Sequence, residues 1–157
     1  MKDSNGTTRS ETQFSVFLAN KPGTLAQVCQ QLADEKINIL ALSMMDASEH
    51  GVLRLIVEQP ERARSSLAAL NVPMAESTVL ITPMPNRPGA LADVVQRLAG
   101  NHINVTCAYC TAGAPGGKTL GVFRVSDIRK ATRVLAERKP RRKEAPALRG
   151  TMSVRRK

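Results

Sequence analysis

The chain has 157 residues, 42% of them apolar, with only four aromatic side chains: Phe14, Phe17, Phe123 and Tyr109. That length holds one ordinary domain or two very small ones and excludes a large multidomain enzyme, while the apolar share supports a packed core. The formal net charge of +10 is uneven: residues 138–157 carry nine basic side chains and one acid, or +8, which leaves +2 for the remainder, so any attraction to nucleic acid or an anionic surface belongs to the tail.

Residues 1–12, MKDSNGTTRSET, are polar and charged. They lack the apolar stretch of a secretory signal and are expected to be a disordered N-terminal segment. The longest apolar stretches, such as INILALSMM at 37–45, fall short of the ~20 residues that span a bilayer, so no membrane association is expected and a cytoplasmic protein is. Three cysteines, Cys29, Cys107 and Cys110, are an odd number and make no disulfide framework; reduced thiols fit a cytosol.

An extended run at 13–19 (QFSVFLA) is followed by an N-x-P-G turn and a helix. Leu25, Val28, Cys29, Leu32 and Ala33 recur at the spacing of one helix face. Pro22 suits the first helical turn, and Asn20 stands upstream as a side-chain acceptor for unpaired amides. Two extended runs follow, Ile37 to Met45 and Val52 to Glu58, joined by a hairpin loop, then an amphipathic helix from Pro60 to Leu70 and a short strand from Val72 to Glu76.

The same order then recurs. Residues 20–39 and 86–105 align at an offset of 66 with 11 identities in 20 positions. Downstream, one extra residue in the second copy sets Leu53 on Leu120 and Leu55 on Val122. The second unit runs from STVLITPM through a helix with Leu91, Val94, Val95, Leu98 and Ala99 inward. Strands Ile103 to Thr111 and Thr119 to Val125 follow, then a helix from Asp127 to Glu137. Strand, helix, strand, strand, helix, strand is the split βαβ plan, with helices on one face of an antiparallel sheet. The fold class is α+β, two ferredoxin-like βαββαβ sandwiches in tandem, at 13–77 and 78–137, followed by a basic tail at 138–157. Beyond Glu137 no apolar strand appears, so the last strand of the second unit is expected to be missing, leaving Val79 to Met84 at an open edge.

Two N-x-P-G turns at helix heads, each followed by I-N-I/V opening the next strand, make the chain resemble a tandem pair of ACT domains over residues 13–137. The resemblance implies a regulatory protein, most plainly an amino-acid sensor, that acts by binding, as stand-alone tandem members of the glycine-cleavage repressor type do. It implies an amino-acid ligand held where two modules meet, and a homodimer. It further implies contact from asparagines matching Asn20, Asn38, Asn86 and Asn104. Serine-binding relatives carry a His where this chain has Leu18 and Met84, which leaves the ligand's identity open.

The turn chemistry is compatible with such a guest. Gly23 and Gly89, behind Pro22 and Pro88, have no Cβ and permit close approach; amides of Gly23, Thr24 and Leu25, or of Gly89, Ala90 and Leu91, favour a carboxylate. The asparagine amides both donate and accept, as a zwitterion requires. A purely architectural reading stands beside it, in which Asn20 caps its helix, Gly23 serves a tight turn and Asn38 bonds neighbouring backbone.

The remaining signals are weak. GAPGGKT at 113–119 lacks the spacing and the following helix of a phosphate loop and reads as a hairpin tip, with Lys118 a candidate anion contact in a lid. Cys107 and Cys110 lack a second ligand pair, and His50 and His102 lie in different repeats, so no metal site is assigned. No nucleophile–base pair stands out; no catalytic residue, enzyme activity or cofactor is assigned. The third strands hold one aromatic between them, so the base-stacking platform of an RNA-recognition motif is lacking. The alternative function is a dimerising interaction module whose basic tail docks on nucleic acid or an acidic partner.

Overall fold

A computed structural model of the protein describes residues 7–45, 50–111, 113 and 117–136. The elements are β1 (Arg9–Ala19), α1 (Thr24–Asp34), β2 (Ile39–Met45), β3 (His50–Val57), α2 (Pro60–Ala68), β4 (Met74–Pro85), α3 (Ala90–Gly100), β5 (Val105–Cys110), β6 (Lys118–Val125) and α4 (Ile128–Ala136). The strands form one antiparallel sheet in the order β2-β3-β1-β4-β6-β5. The tandem α+β plan is present, with both repeats built into a single sheet.

The register explains the junction. Thr12 pairs with Thr78, and these two residues stand 66 positions apart, the offset that relates the two repeats. A pseudo-two-fold axis therefore passes through this pair, and β1 and β4 exchange roles across it. The C-terminal part of β1 is the first strand of repeat 1, pairing with β3 from Phe14 to Ala19. Its N-terminal part, Arg9 to Gln13, pairs with Ile81 to Ser77 and takes the place of repeat 2's last strand.

Three expectations are corrected by this arrangement. Residues 9–12, expected to be disordered, are strand, because they pair with an edge of β4 that would otherwise expose unpaired backbone N–H and C=O groups. For the same reason β4 is not an open edge from Ser77 to Ile81. The separate strands expected at 72–76 and 77–84 are one twelve-residue strand, Met74–Pro85, since a last strand and a first strand that continue in line need no turn. Residues 137–157, where the missing strand and the tail were expected, lie outside the described residues.

The third strand of each repeat is also shifted from its sequence alignment. Phe14 pairs with Leu55, and Leu80 pairs with Phe123; the first members are 66 apart and the second 68. Leu55 is therefore equivalent to Phe123 and Leu53 to Gly121, rather than Val122 and Leu120. A one-residue slip transfers a side chain to the opposite face. The helix-facing position at Gly121 is filled by neighbours: a Cβ there would lie 2.7 Å from the Phe123 ring and 2.8 Å from Met84 Cε.

On the helix side each repeat has its own core. Phe14, Leu18, Leu32, Leu53, Leu55 and Leu67 form the first, and Leu80, Met84, Leu98, Phe123 and Leu135 belong to the second. Helix α1 ends with Lys36 at φ 55, with Lys36 N–H donating to Ala33 O (2.9 Å) and Ile37 N–H to Leu32 O (2.9 Å). The equivalent bonds follow α3, around His102 at φ 56. This left-handed terminus satisfies the last carbonyls and turns Ile37 and Ile103 into the cores.

The other face is apolar at its centre, where Ala41, Ile56, Val79, Ile81 and Val122 are buried with no helix over them among the described residues. Curling of the sheet achieves this. Tyr109 on the edge strand β5 donates to Gln13 Oε1 on β1 at 3.0 Å, across two intervening strands. Three strand spacings amount to roughly 14 Å in a flat sheet, beyond the reach of the two side chains, so β5 must bend over β1. Matching bulges at Ile39/Ala41 and Val105/Cys107 let the outer strands change face.

Candidate functional site

Each N-x-P-G turn leaves the end of a central strand and opens a helix at glycine. Gly23 has φ 92 and Gly89 φ 83, a region where other residues are strained, so the turn itself requires glycine. Glycine is the N-cap residue in both, with no side-chain cap; Asn20 and Asn86 therefore do not cap, and Pro22 and Pro88 precede the helix rather than entering its first turn. In repeat 1 the Thr24 hydroxyl donates toward Ala19 O and Lys21 O, both at 3.1 Å, closing the turn. Asn20, Pro22 and Gly23 are exposed, and a Cβ at Gly23 would meet nothing within 4 Å.

The second turn is closed. Asn86 N–H donates to Gly117 O at 2.8 Å and Asn86 Nδ2 donates to Gly113 O at 2.7 Å, tying the turn to the β5–β6 hairpin. Arg87 folds over the helix head, donating to Pro88 O and to the Asp93 carboxylate, both at 3.0 Å. Repeat 1 has Lys21 and Gln27 at these places. Lys118, expected at a hairpin tip, is the first residue of β6 and pairs with Pro85; residues 112 and 114–116 lie outside the described residues.

The other candidates fall elsewhere. Asn38 and Asn104 precede β2 and β5 at the far ends of their strand pairs from the turns: Asn38 O accepts from Glu58 N–H and Asn38 Nδ2 donates to Glu58 Oε1 (3.2 Å), while Asn104 O accepts from Ser126 N–H. Asn20 and Asn38 of one chain are thus separated by the eight residues of β3, about 26 Å of strand. Leu25 packs against the first core. In α3 Ala90 is buried whereas Leu91, expected inward, is exposed, because a helix beginning at Ala90 points 90, 94 and 98 at the sheet. The two turns do not approach each other either. Ala19 and Pro85 lie seven residues to either side of the Thr12–Thr78 pair, so on the order of 40 Å of strand lies between them.

The feature that sequence reading missed is the edge of β2. Leu42, Met44 and Met45 are 42%, 45% and 51% exposed, on a seven-residue edge strand, ILALSMM, with no charge and no proline. The run of apolar residues is visible in the sequence; its edge position is set by the topology. Such an edge presents both unpaired backbone and apolar area. Cys107 and Cys110 point to opposite faces of β5, and partial burial raises the Cys110 thiol above its ordinary value, keeping it protonated. Among the described residues no group of His, Cys, Asp and Glu is arranged to hold a metal, and no helix is long and apolar enough to cross a membrane.

Residues 10–145 match the family described as an ACT domain pair. The chain belongs to that family. ACT domains are regulatory, small-molecule-binding modules, and the ferredoxin-like architecture of the ACT pair is the one seen here. The crystal structure of protein BT0572 from Bacteroides thetaiotaomicron is 33% identical, with TM-score 0.74, over 82% of this chain and 88% of that one. The ligand-free regulatory subunit of aspartate kinase from Thermus thermophilus is 14% identical with TM-score 0.61, over 79% and 89%. The corresponding subunit from Thermus flavus is 15% identical with TM-score 0.57, over 82% and 94%. At that identity the likeness to the kinase subunits is one of fold. Comparison with curated proteins gives no significant match.

Proposed function

We propose that this ACT pair is an amino-acid sensor whose ligand is held by the first repeat, at a junction between two copies of the chain. The observation that carries the reading is the asymmetry of the two turns: Asn20 and Gly23 are open, whereas Asn86 is bound to its own hairpin. Since the turns of one chain are far apart, the second wall of the site comes from another protomer. Antiparallel pairing of β2 with its copy covers Leu42, Met44 and Met45. It also reverses strand direction across the junction, so that Asn38 of the partner subunit stands at the Met45 end, the same end of the sheet as Asn20 and three strand spacings, roughly 14 Å, from β1. The site is then incomplete in a monomer: the turn supplies main-chain donors for a carboxylate, Asn20 addresses the ammonium group, and the end of the partner subunit's β2 walls the far side toward the ligand's side chain. Occupancy acts by favouring one arrangement of the junction, to the extent that the ligand binds that arrangement more tightly.

A thermal-unfolding screen of the twenty amino acids tests the reading. One class of amino acid is expected to stabilise the protein, by about 2.7 kcal/mol at a hundredfold excess over Kd, with the effect lost in Asn20→Ala and kept in Asn86→Ala. No response to any amino acid defeats it. The tail's nine basic residues support a second, separable role in binding nucleic acid or an acidic partner. Removal of residues 138–157 abolishes that binding if the role is real.

A further inference from the structure

Leu53 and Leu55 belong to the helix-side core of repeat 1, so Arg54 between them projects from the opposite face of the sheet. Arg54 pairs with Ser15 on β1 and with Ser43 on β2, and side chains paired across neighbouring strands share a face. All three are half-buried, and among the described residues none of their side chains makes a hydrogen bond or an ion pair. The corresponding row of repeat 2 is Ile81, Val122 and Tyr109. There Ile81 and Val122 are fully buried and the Tyr109 hydroxyl is taken by Gln13, so the fold does not require a cation at this place. Two residues along each strand, about 6.8 Å away, the same face carries Phe17, Val52 and Met45, again paired across the three strands. Phe17 and Met45 are 39% and 51% exposed. They stand two strand spacings apart, about 9.6 Å, with the shorter Val52 between them. On the inner side the curl brings the Tyr109 phenol within range of the Arg54 charge.

We propose that this face of repeat 1 is a second binding site, for a small aromatic monocarboxylate whose anionic group meets Arg54, Ser15 and Ser43 and whose ring lies over Val52 between Phe17 and Met45. A half-buried guanidinium without an acid partner has given up part of its hydration, and an anion that replaces that water gains charge-assisted hydrogen bonds. The planar fork of arginine matches a carboxylate with two parallel bonds, and a hydroxyl on either side can donate to the remaining lone pairs. One cation balances one negative charge, which favours a carboxylate over a dianionic phosphate. A ring fits the neighbouring row because Phe17 offers an aromatic surface and Met45 a polarizable sulfur. Neither row carries a carboxylate, so a ligand's ammonium group would find no counter-charge there, and the ligand class differs from that of the turn. The site lies on the face of the sheet and depends on neither the turn nor the β2 junction.

The test is a methyl-NMR titration of the full-length protein with phenylacetate, using phenylacetamide as the uncharged control and acetate as the control without a ring. Saturable shifts of the Val52 and Met45 methyls are expected with phenylacetate. Met44, which pairs with the core residue Leu53 and so lies on the other face of β2, should not respond, and neither control should saturate in the same range. Arg54→Gln should weaken binding about tenfold or more, Phe17→Ala should weaken it severalfold, and Asn20→Ala should leave it intact. If Arg54→Gln does not fold, the Phe17→Ala titration and the phenylacetamide control decide together. Absence of saturable Val52 shifts, equal binding of the amide, undiminished affinity in Arg54→Gln, or loss of binding in Asn20→Ala would overturn the proposal.

Discussion

The Tyr109 hydroxyl meets Gln13 Oε1 at 3.0 Å, joining residues 96 positions apart and closing the curled sheet over its unhelical face. Gln13 is 1% exposed, and its amide nitrogen reaches Ser77 Oγ at 3.4 Å. Loss of the Tyr109 hydroxyl leaves a buried acceptor without its donor, so Tyr109→Phe is expected to cost about 1–3 kcal/mol in urea unfolding. A cost near zero would mean that water replaces the phenol and that the bond does not hold the curl.

The same residue predicts an alkaline limit. Burial, followed by proximity to Cys107, raises the Tyr109 phenol well above its ordinary value, with Arg54 opposing. A raised folded-state pKa contributes stability that is complete below the unfolded value of about 10 and is lost as pH rises beyond it. Because the chain has one tyrosine and no tryptophan, its near-ultraviolet tyrosinate band reports this group alone. The band should appear together with unfolding, and stability in Tyr109→Phe should lose this alkaline component.

Lys36 and His102 occupy left-handed backbone at equivalent helix ends. Each adopts a conformation that glycine takes without a Cβ penalty. Lys36→Gly and His102→Gly are therefore each expected to stabilise the protein by roughly 0.5–1 kcal/mol. The sites lie in different repeats, so the gains should add in the double variant. Destabilisation by either change would show that the side chain has a role outside the backbone.

Much of this architecture was legible because its signals are local. The N-x-P-G turns, the 3.6-residue spacing of Val28 and Leu32 or Val94 and Leu98, and the alternation in VLRLIVE all act within a few residues. The β1–β4 pairing was not legible, because it depends on where two repeats meet and nothing in RSET distinguishes a strand from a solvated leader. The slip between Leu55 and Phe123 has a different origin. Matching Leu53 to Leu120 favours chemical likeness, whereas the structure puts Gly121 at that position and covers it with the Phe123 ring. For the site, the turns themselves were legible; that Asn20 is open and Asn86 closed depends on hairpin carbonyls that no motif records.

Ser66 lies in α2 at 7% exposure, and its hydroxyl is buried without a hydrogen-bond partner among the described residues. Removing an unsatisfied buried hydroxyl relieves a desolvation cost of about 1–3 kcal/mol and leaves a small gap. Ser66→Ala should therefore be neutral or stabilising by up to about 1 kcal/mol. A clear loss in Tm would reveal a partner for Ser66 in solution.

Met44 tests the junction directly. It is 45% exposed on the free edge strand, while its methyl reaches toward Gly51, where an added Cβ would lie 2.9 Å away. Met44→Lys places a charge on the apolar edge, a substitution that blocks strand pairing while leaving a solvent-facing side chain. In sedimentation equilibrium the wild-type protein is expected to be a dimer and Met44→Lys a monomer of similar intrinsic stability. If the ligand site needs the end of the partner subunit's β2, the monomeric variant must also lose its amino-acid-dependent rise in Tm although Asn20 is untouched. A Met44→Lys monomer that still responds to the amino acid would put the whole site within one chain and remove the junction from the mechanism.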